Sequence, residues 1–330
     1  MYMIKKYYKY VKWRYQYFIQ GSKYPSSYFD PAFWINLLPQ RMLHSSDYSR
    51  NKKLNKLLTR FNNDFREGNI FSIPVIYGGE RKTLNLHSNG KRLDRSLMIQ
   101  FLDLVRPFMV EADKKERYDA FIKKHAYGGK AYRYGETYFK KFYWYPIGQE
   151  KFWIDEGSYV NDKTPLQKSD VVYDVGANQG VFSCFAAMYA KKVIAFEPLK
   201  KYRDIIRANN ELNMLTNVDV KPYGLADSNK DISTREIGMY SASEDAVKVC
   251  RASDLVRKGE LTKPDFVKMD IEGNERYALE GLHKMYVHNN IRSSICIYHL
   301  PDDEKKIRSF FESLNMNVEV NKQGKKLHAW

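Results

Sequence analysis

From residue 171 onward the chain alternates short β-branched or aromatic runs with segments of helical period, and no other feature constrains its fold as strongly. VVYDVG (171–176), KVIAFEP (192–198), VDVKPYGLAD (218–227), DFVKMDIEG (265–273) and SSICIYHL (293–300) read as strands. Helices are expected at 179–190, at 199–212, from Asn274 as N-cap to about 285, and at 302–314. Two short strands, 318–320 and 326–330, close the chain. Strands linked by helices of this length run parallel, because the crossover helix carries the chain back to the same end of the sheet. The expected fold class is α/β: a Rossmann-like, mostly parallel sheet with helices on both faces. In such a sheet the ligand sits at the carboxyl ends of the strands, near the point where strand order reverses.

The first 140 residues have a different texture. Helices are expected over 51–66, 97–108 and 114–124, and residues 4–19 set Ile4, Tyr8, Val11, Tyr15 and Phe18 along one helical stripe. Flanked by Lys5, Lys9 and Lys12, that stripe suits an anionic membrane surface, and packing onto the rest of the protein explains it equally well. A hairpin is expected where 142–145 and 151–154 flank Pro146 and Gly148. The domain boundary falls near 140, dividing a basic, aromatic-rich, mainly helical accessory region (1–140) from the sheet domain (141–330). Charge divides similarly: residues 1–150 hold 28 Lys/Arg against 13 Asp/Glu, and residues 151–330 hold 27 against 26. Such asymmetry points to an acidic partner for the first half, whether nucleic acid, lipid headgroups or a phosphorylated substrate, or to a merely well-solvated surface. Cys184, Cys250 and Cys296 have neither disulfide-framework nor zinc spacing, which suits reduced thiols in the cytoplasm. No run approaches the ~18 apolar residues of a membrane span.

Each residue able to do chemistry falls at an expected strand end. The first strand runs into Asp174-Val-Gly176-Ala-Asn178-Gln-Gly180, whose glycines let the backbone turn sharply and approach a ligand. Asn178 stands where a dinucleotide fingerprint has its second glycine, and Asp174 would repel a pyrophosphate. A ligand with ammonium and sulfonium centres, such as S-adenosylmethionine, suits this turn better; a buried turn with no ligand is the plainer alternative. Glu197, 21 residues after Gly176, ends the second strand where a carboxylate accepts from both ribose hydroxyls. Asp227 follows the third strand, near an adenine or as a loop cap. On the fourth strand, alternation sends Lys268, Asp270 and Glu272 to one side and Met269 and Ile271 to the other. Burying that lysine with two carboxylates is costly unless they pair, bind metal or move a proton. His299 ends the fifth strand beside Asp270. An alcohol attacking a methyl sulfonium must lose its proton, and Asp270 and His299 are the candidate bases. Asp270, Glu272 and His299 also have the donor types for a divalent metal, whereas Glu275 suits the start of a helix.

Together VVYDVGANQGVFS, AFEP, DFVKMDIEGNE and IYH resemble the FkbM-type S-adenosylmethionine-dependent methyltransferases over residues of about 141–314. The resemblance implies the class I methyltransferase fold, a seven-stranded sheet with an antiparallel last strand. It implies cofactor contacts at Asp174, Gly176, Asn178, Gly180 and Glu197, and an acceptor site bordered by Asp270, Glu272 and His299. It further implies O-methylation of a sugar or another hydroxylated metabolite, and with the basic first half the expected partner is a glycan, lipid-linked or phosphorylated. Two other classes stay open. One is nucleic-acid methylation by the basic half, although no Asn-Pro-Pro-Tyr-type motif is present. The other is a catalytically silent cofactor-binding scaffold, against which the intact Asp174–Gly180 turn and the Asp270, Glu272 and His299 set argue.

Overall fold

The computed structural model describes residues 40–127, 153–154, 156–233, 246–288, 290–300 and 302–330. The stripe over 4–19 and the boundary near 140 lie outside the described residues. So does the expected 142–154 hairpin, apart from Trp153–Ile154, which pairs in parallel with Ala126–Tyr127.

The helix Gln40–Phe65 (α1) buries Leu54, Leu57, Leu58, Phe61 and Phe65 along one face. An antiparallel hairpin follows, Ile70–Tyr77 (β1) and Glu80–His87 (β2), turning through Gly78 and Gly79, both at positive φ. Alternate residues Phe71, Ile73 and Val75 of β1 and Leu84 and Leu86 of β2 are fully buried. This hairpin is an addition to the helices expected in the region. The helix expected at 97–108 is composite: Lys91–Gln100 (α2) widens into a π turn at Phe101–Val105 and tightens into a 3₁₀ turn at Arg106–Phe108, where Pro107 lacks an N–H to continue the ladder. Ala112–His125 (α3) completes the layer.

The central sheet is built from Val171–Val175 (β3), Lys192–Phe196 (β4), Val218–Lys221 (β5), Phe266–Met269 (β9), Arg292–Cys296 (β10), Val318–Val320 (β11) and Lys326–Ala329 (β12). A small separate sheet joins Gly224–Leu225 (β6), Lys230–Ser233 (β7) and Ala246–Cys250 (β8). The seven-stranded order is β11-β12-β10-β9-β3-β4-β5, with only β12 antiparallel to its neighbours. This is the class I methyltransferase arrangement, and its order reverses between β3 and β9. One expected strand is divided. The 218–227 run leaves the main sheet at Lys221, because Pro222 has no N–H to donate, and Gly224–Leu225 pairs with β8 instead.

Helices Val181–Ala187 (α4), Lys200–Leu212 (α5), Ala252–Arg257 (α6), Glu275–His288 (α7) and Asp303–Glu312 (α8) connect the strands. On one face Tyr173, Val175, Met269 and Ile295 pack with Leu279 and Leu282 of α7 and Phe311 of α8. On the other, Val172 and Phe266 share a core with Phe182 and Phe185 of α4 and with the buried residues of α1, β1 and β2. Residues 52–330 thus form one compact unit. No helix among the described residues is long and apolar enough to cross a membrane.

Candidate active site

At the switch point β3 gives way to the turn 176–180. Gly176 has φ +81°, and a Cβ there would lie 2.0 Å from the Asp270 carbonyl oxygen, so only glycine lets the ends of β3 and β9 touch. Asn178 and Gly180 are also left-handed, with φ of 52° and 78°. The turn is latched to the end of β4. Gly176 N–H donates to Phe196 O at 3.0 Å, and Asn178 N–H donates to Glu197 Oε2 at 2.9 Å. Leu199 N–H donates to Glu197 Oε1 at 2.9 Å. Glu197 is 4% exposed, and burial pushes its pKa up to about 7 in spite of the two donors.

Asp174 lies behind the turn with no exposed surface. Ser183 Oγ donates to its Oδ2 at 2.5 Å, and Lys268 Nζ sits 2.8 Å from its Oδ1. The same ammonium donates to Gly176 O at 2.7 Å. Burial opposes the charge of Lys268, but Asp174 and Asp270 outweigh it and hold the pKa above the ordinary lysine value. Lys268 therefore ties the turn to β9.

The strand β9 ends at Met269, earlier than the expected 265–273. Alternation holds as far as Asp270 and breaks at Glu272, whose φ of 63° begins a turn with Gly273. The buried Glu275 builds that turn. Its Oε1 accepts from Ile271 N–H at 2.8 Å and its Oε2 from Gly273 N–H at 3.0 Å. Its Oε1 also lies 2.8 Å from His299 Nδ1. Sequence reasoning offered Glu275 as a helix-terminus charge, whereas it organises the whole corner. The imidazole of His299, 1% exposed, turns Nε2 to within 3.4 Å of Asp270 Oδ1 and 3.8 Å of Glu272 Oε2. Tyr159 O–H donates to Asp270 Oδ2 at 2.8 Å. Burial would raise the Asp270 carboxyl, but the charges of His299 and Lys268 and the Tyr159 hydrogen bond hold it below the ordinary range.

Two groups of expected site residues thus stand side by side: Asp174, Gly176, Asn178, Gly180 and Glu197 around the turn, and Lys268, Asp270, Glu272 and His299 beyond it. Asp227 stands apart from these contacts; its Oδ1 accepts from Ser228 Oγ at 2.9 Å and faces Lys230 Nζ at 3.8 Å. Ligand-type atoms of Asp270, Glu275 and His299 lie within 4.8 Å of one another, as do those of Glu156, Asp270 and Cys296. In the first set the Glu275 oxygens already accept two backbone N–H groups. Sequence reasoning missed Tyr159 and the pair Lys325-Lys326. The Tyr159 ring has Lys326 Nζ 4.0 Å and Lys268 Nζ 5.2 Å from its centroid. Two lysines opening a strand that is otherwise buried were the available signal.

The family model described as the methyltransferase FkbM domain matches residues 174–325. Hexuronic acid methyltransferase AglP of Haloferax volcanii is 29% identical over 164 residues, 47% of this chain and 67% of that protein. A solved structure of methyltransferase FkbM from Methylobacillus flagellatus KT is similar at 18% identity and a TM-score of 0.41, over 50% of this chain but only 44% of that one. Fibrillarin of Aeropyrum pernix, solved with bound S-adenosyl-L-methionine, is similar at 6% identity and a TM-score of 0.34, covering 50% of this chain and 68% of that one. The span that resembles the methyltransferase FkbM domain thus runs from the strand that carries Asp174 to the loop that carries Lys325.

Proposed function

We propose that the protein is an S-adenosylmethionine-dependent O-methyltransferase whose acceptor is a hydroxyl of a glycan. The observation that carries this reading is the buried Glu275–His299 pair turned toward Asp270, at the switch point and one strand from the Gly176–Gly180 turn. The donor set fits the cofactor. Glu197 is a buried carboxylate latched to a turn of left-handed residues, and the two cations beside it are engaged within the protein, Lys268 by Asp174 and Arg203 by the Glu197 carbonyl. Such a set favours a cationic nucleoside with free ribose hydroxyls over a pyrophosphate. Glu197 and the backbone of 176–180 would hold it, with Asp174 acting from behind through Lys268. When bound, the cofactor supplies an electrophilic methyl group on a sulfonium.

The protein's own part is to hold the acceptor oxygen and remove its proton. A carboxylate oxygen only accepts, so His299 Nδ1 carries the hydrogen of the Glu275 contact, and Nε2, once its own proton has left, is the face offered to the acceptor. Asp270, kept ionised, accepts from the acceptor hydroxyl or its neighbour and fixes its direction. Holding that oxygen in line supplies most of the acceleration, on the order of 7 kcal/mol. The hexuronic acid relative supports a sugar acceptor.

The test is calorimetric titration of S-adenosylmethionine and S-adenosylhomocysteine into the full chain, followed by transfer of labelled methyl groups to a panel of sugars. Micromolar binding that Glu197→Ala weakens at least tenfold, and labelling that His299→Ala abolishes, are the expected results. Absence of binding to both nucleosides would sink the reading.

A further inference from the structure

Two left-handed residues, Asn178 and Gly180, flank Gln179 in the turn proposed to hold the cofactor. Such a backbone keeps its shape only where the surroundings over-determine it. From the sheet, Phe196 O and the Glu197 carboxylate accept from the N–H groups of Gly176, Ala177 and Asn178. Gln179 is held from α5, where Asn209 Nδ2 donates to its carbonyl at 3.1 Å. Gln179 has no exposed surface, and neither polar atom of its side chain has a hydrogen-bond partner among the described residues. Its main chain, rather than its amide, therefore locates it.

Asn209 is tied in turn to the N-terminal layer. It too is fully buried, and its Oδ1 accepts from His87 N–H at 2.8 Å. One turn further along α5, Asn213 Oδ1 accepts from Asn85 N–H at 2.8 Å, while its Nδ2 donates to Asn85 O at 2.5 Å and to Asn209 O at 2.7 Å. β2 is the edge strand of its small sheet, and an edge presents main-chain groups that need partners. The two asparagines stand in for a further strand. Spacing permits this, because four residues of helix advance about 6 Å and two residues of strand about 6.6 Å. A continuous path results, from His87 N–H through Asn209 to Gln179 O. It joins the cofactor turn to a strand that lies outside the family-matched residues 174–325.

We propose that Asn209 is a positioning residue of the cofactor site, through which the edge of β2 braces the turn 176–180 and raises affinity for S-adenosylmethionine. The proposal rests on the methyltransferase reading and adds to it a support drawn from the N-terminal layer. An amide suits the task because it accepts and donates at once: Oδ1 serves the strand N–H and Nδ2 the turn carbonyl. A carboxylate of the same shape can do only the first. Binding geometry is exacting to within about 0.5 Å, so a Gln179 carbonyl released from Asn209 lowers affinity without any contact to the ligand being removed.

The experiment measures S-adenosylhomocysteine affinity by calorimetry, together with Tm, on the full chain and its variants. Asn209→Asp keeps an oxygen for His87 N–H but sets its second oxygen against Gln179 O. Asn213→Asp makes the same change one helical turn on, where the second oxygen meets the carbonyls of Asn85 and Asn209 and not the turn. Both should lower Tm by similar amounts. Only Asn209→Asp should bind at least tenfold more weakly, with Asn213→Asp within twofold of the parent; a role confined to holding the fold would move the two affinities alike. His87→Pro removes one N–H from an outward-facing edge position, a substitution that edge strands tolerate, and should weaken binding at least threefold. Should Asn209→Asp fail to fold, Asn209→Ala, which removes both contacts and adds no charge, carries the same expectation. Parental affinity in the Asn209 variant, or an equal loss in Asn213→Asp, would overturn the positioning role, and parental affinity in His87→Pro would overturn the part given to β2. Failure of the parent to bind S-adenosylhomocysteine would instead count against the methyltransferase reading.

Discussion

Replacing Glu275 with Gln alters one atom and one charge at the centre of the active-site corner. In the parent, Oε1 accepts from Ile271 N–H and His299 Nδ1, both at 2.8 Å, and Oε2 accepts from Gly273 N–H at 3.0 Å. An amide has a single accepting oxygen. Kept in the Oε1 position, it retains two contacts weakened by loss of charge and sets its NH₂ against the Gly273 N–H; flipped, it loses two. The cheaper arrangement forfeits one charge-assisted hydrogen bond, about 1.5–3 kcal/mol, and leaves a buried donor unsatisfied, about 1–3 kcal/mol. Local relaxation recovers part of this, so the expected loss is about 3 kcal/mol, or a fall in Tm of roughly 4–5 °C for a chain of this size. Urea unfolding and calorimetry measure that loss. Methyl transfer to a working acceptor measures the second effect, since a His299 ring without its carboxylate orienter should turn over at least about tenfold more slowly. A variant within 2 °C of the parent and within about twofold of its turnover would refute both the assignment of Glu275 as builder of the corner and the orienting role built on it.

Three further outcomes follow from the same geometry. Gly176→Ala combines a left-handed φ, costing about 1–2 kcal/mol, with a clash against the Asp270 carbonyl costing about 1–3 kcal/mol; it should lose S-adenosylhomocysteine binding and stability together, and parental values of both would contradict the close approach of β3 and β9. Glu197 is held by burial at about 7, so below that pH it carries a proton and accepts fewer hydrogen bonds; S-adenosylhomocysteine should bind more weakly at pH 6 than at pH 8, and Glu197→Gln should flatten the dependence. Because this carboxyl is easier to ionise in the unfolded chain, parental stability relative to Glu197→Gln should decline as pH rises toward about 7 and level off above it, and thermal melts across pH would expose the opposite sign. Tyr159→Phe removes a donor to Asp270, so that carboxyl should hold its proton to higher pH and carry the acidic limb of the turnover profile upward with it; an unmoved limb would deny the contact any role in tuning Asp270.

The sheet was legible in the sequence because parallel strands buried on both faces must be apolar along most of their length, as VVY (171–173) and VIAF (193–196) are. The site was legible where polarity intruded on that rule: Asp174, Lys268 and Asp270 are charges at the ends of strands that otherwise exclude them. Other features were hidden for physical reasons. Glu275 sits at a helix start, where an acidic residue is ordinary, so nothing in its type announces a buried three-way acceptor. Tyr159 reaches Asp270 across 111 positions of sequence, and no local period encodes such a contact. The β1–β2 hairpin was legible in principle through Gly78-Gly79 between two alternating runs, but Pro74 inside the first run argues against a strand. It is tolerated because the side of the strand that lacks a donor faces away from β2, where the Pro74 carbonyl accepts from Val110 N–H at 3.2 Å.

The aromatic seam between the N-terminal layer and α4 bears on how such a protein can be divided. Tyr77 meets Phe185 at 5.8 Å and Tyr189 at 5.2 Å, Phe108 stacks on Phe185 at 5.0 Å, and Lys82 Nζ rides 4.5 Å above the Tyr189 ring. A fragment beginning at residue 141 would bare Phe185 and Tyr189 to water and leave the turn that precedes α4 supported from one side only. The layer and the sheet should therefore melt as a single cooperative transition. A change of acceptor preference introduced in residues 52–127 must respect the ring geometry of α4, and the basic half cannot be exchanged for that of a relative without recutting the seam on both sides.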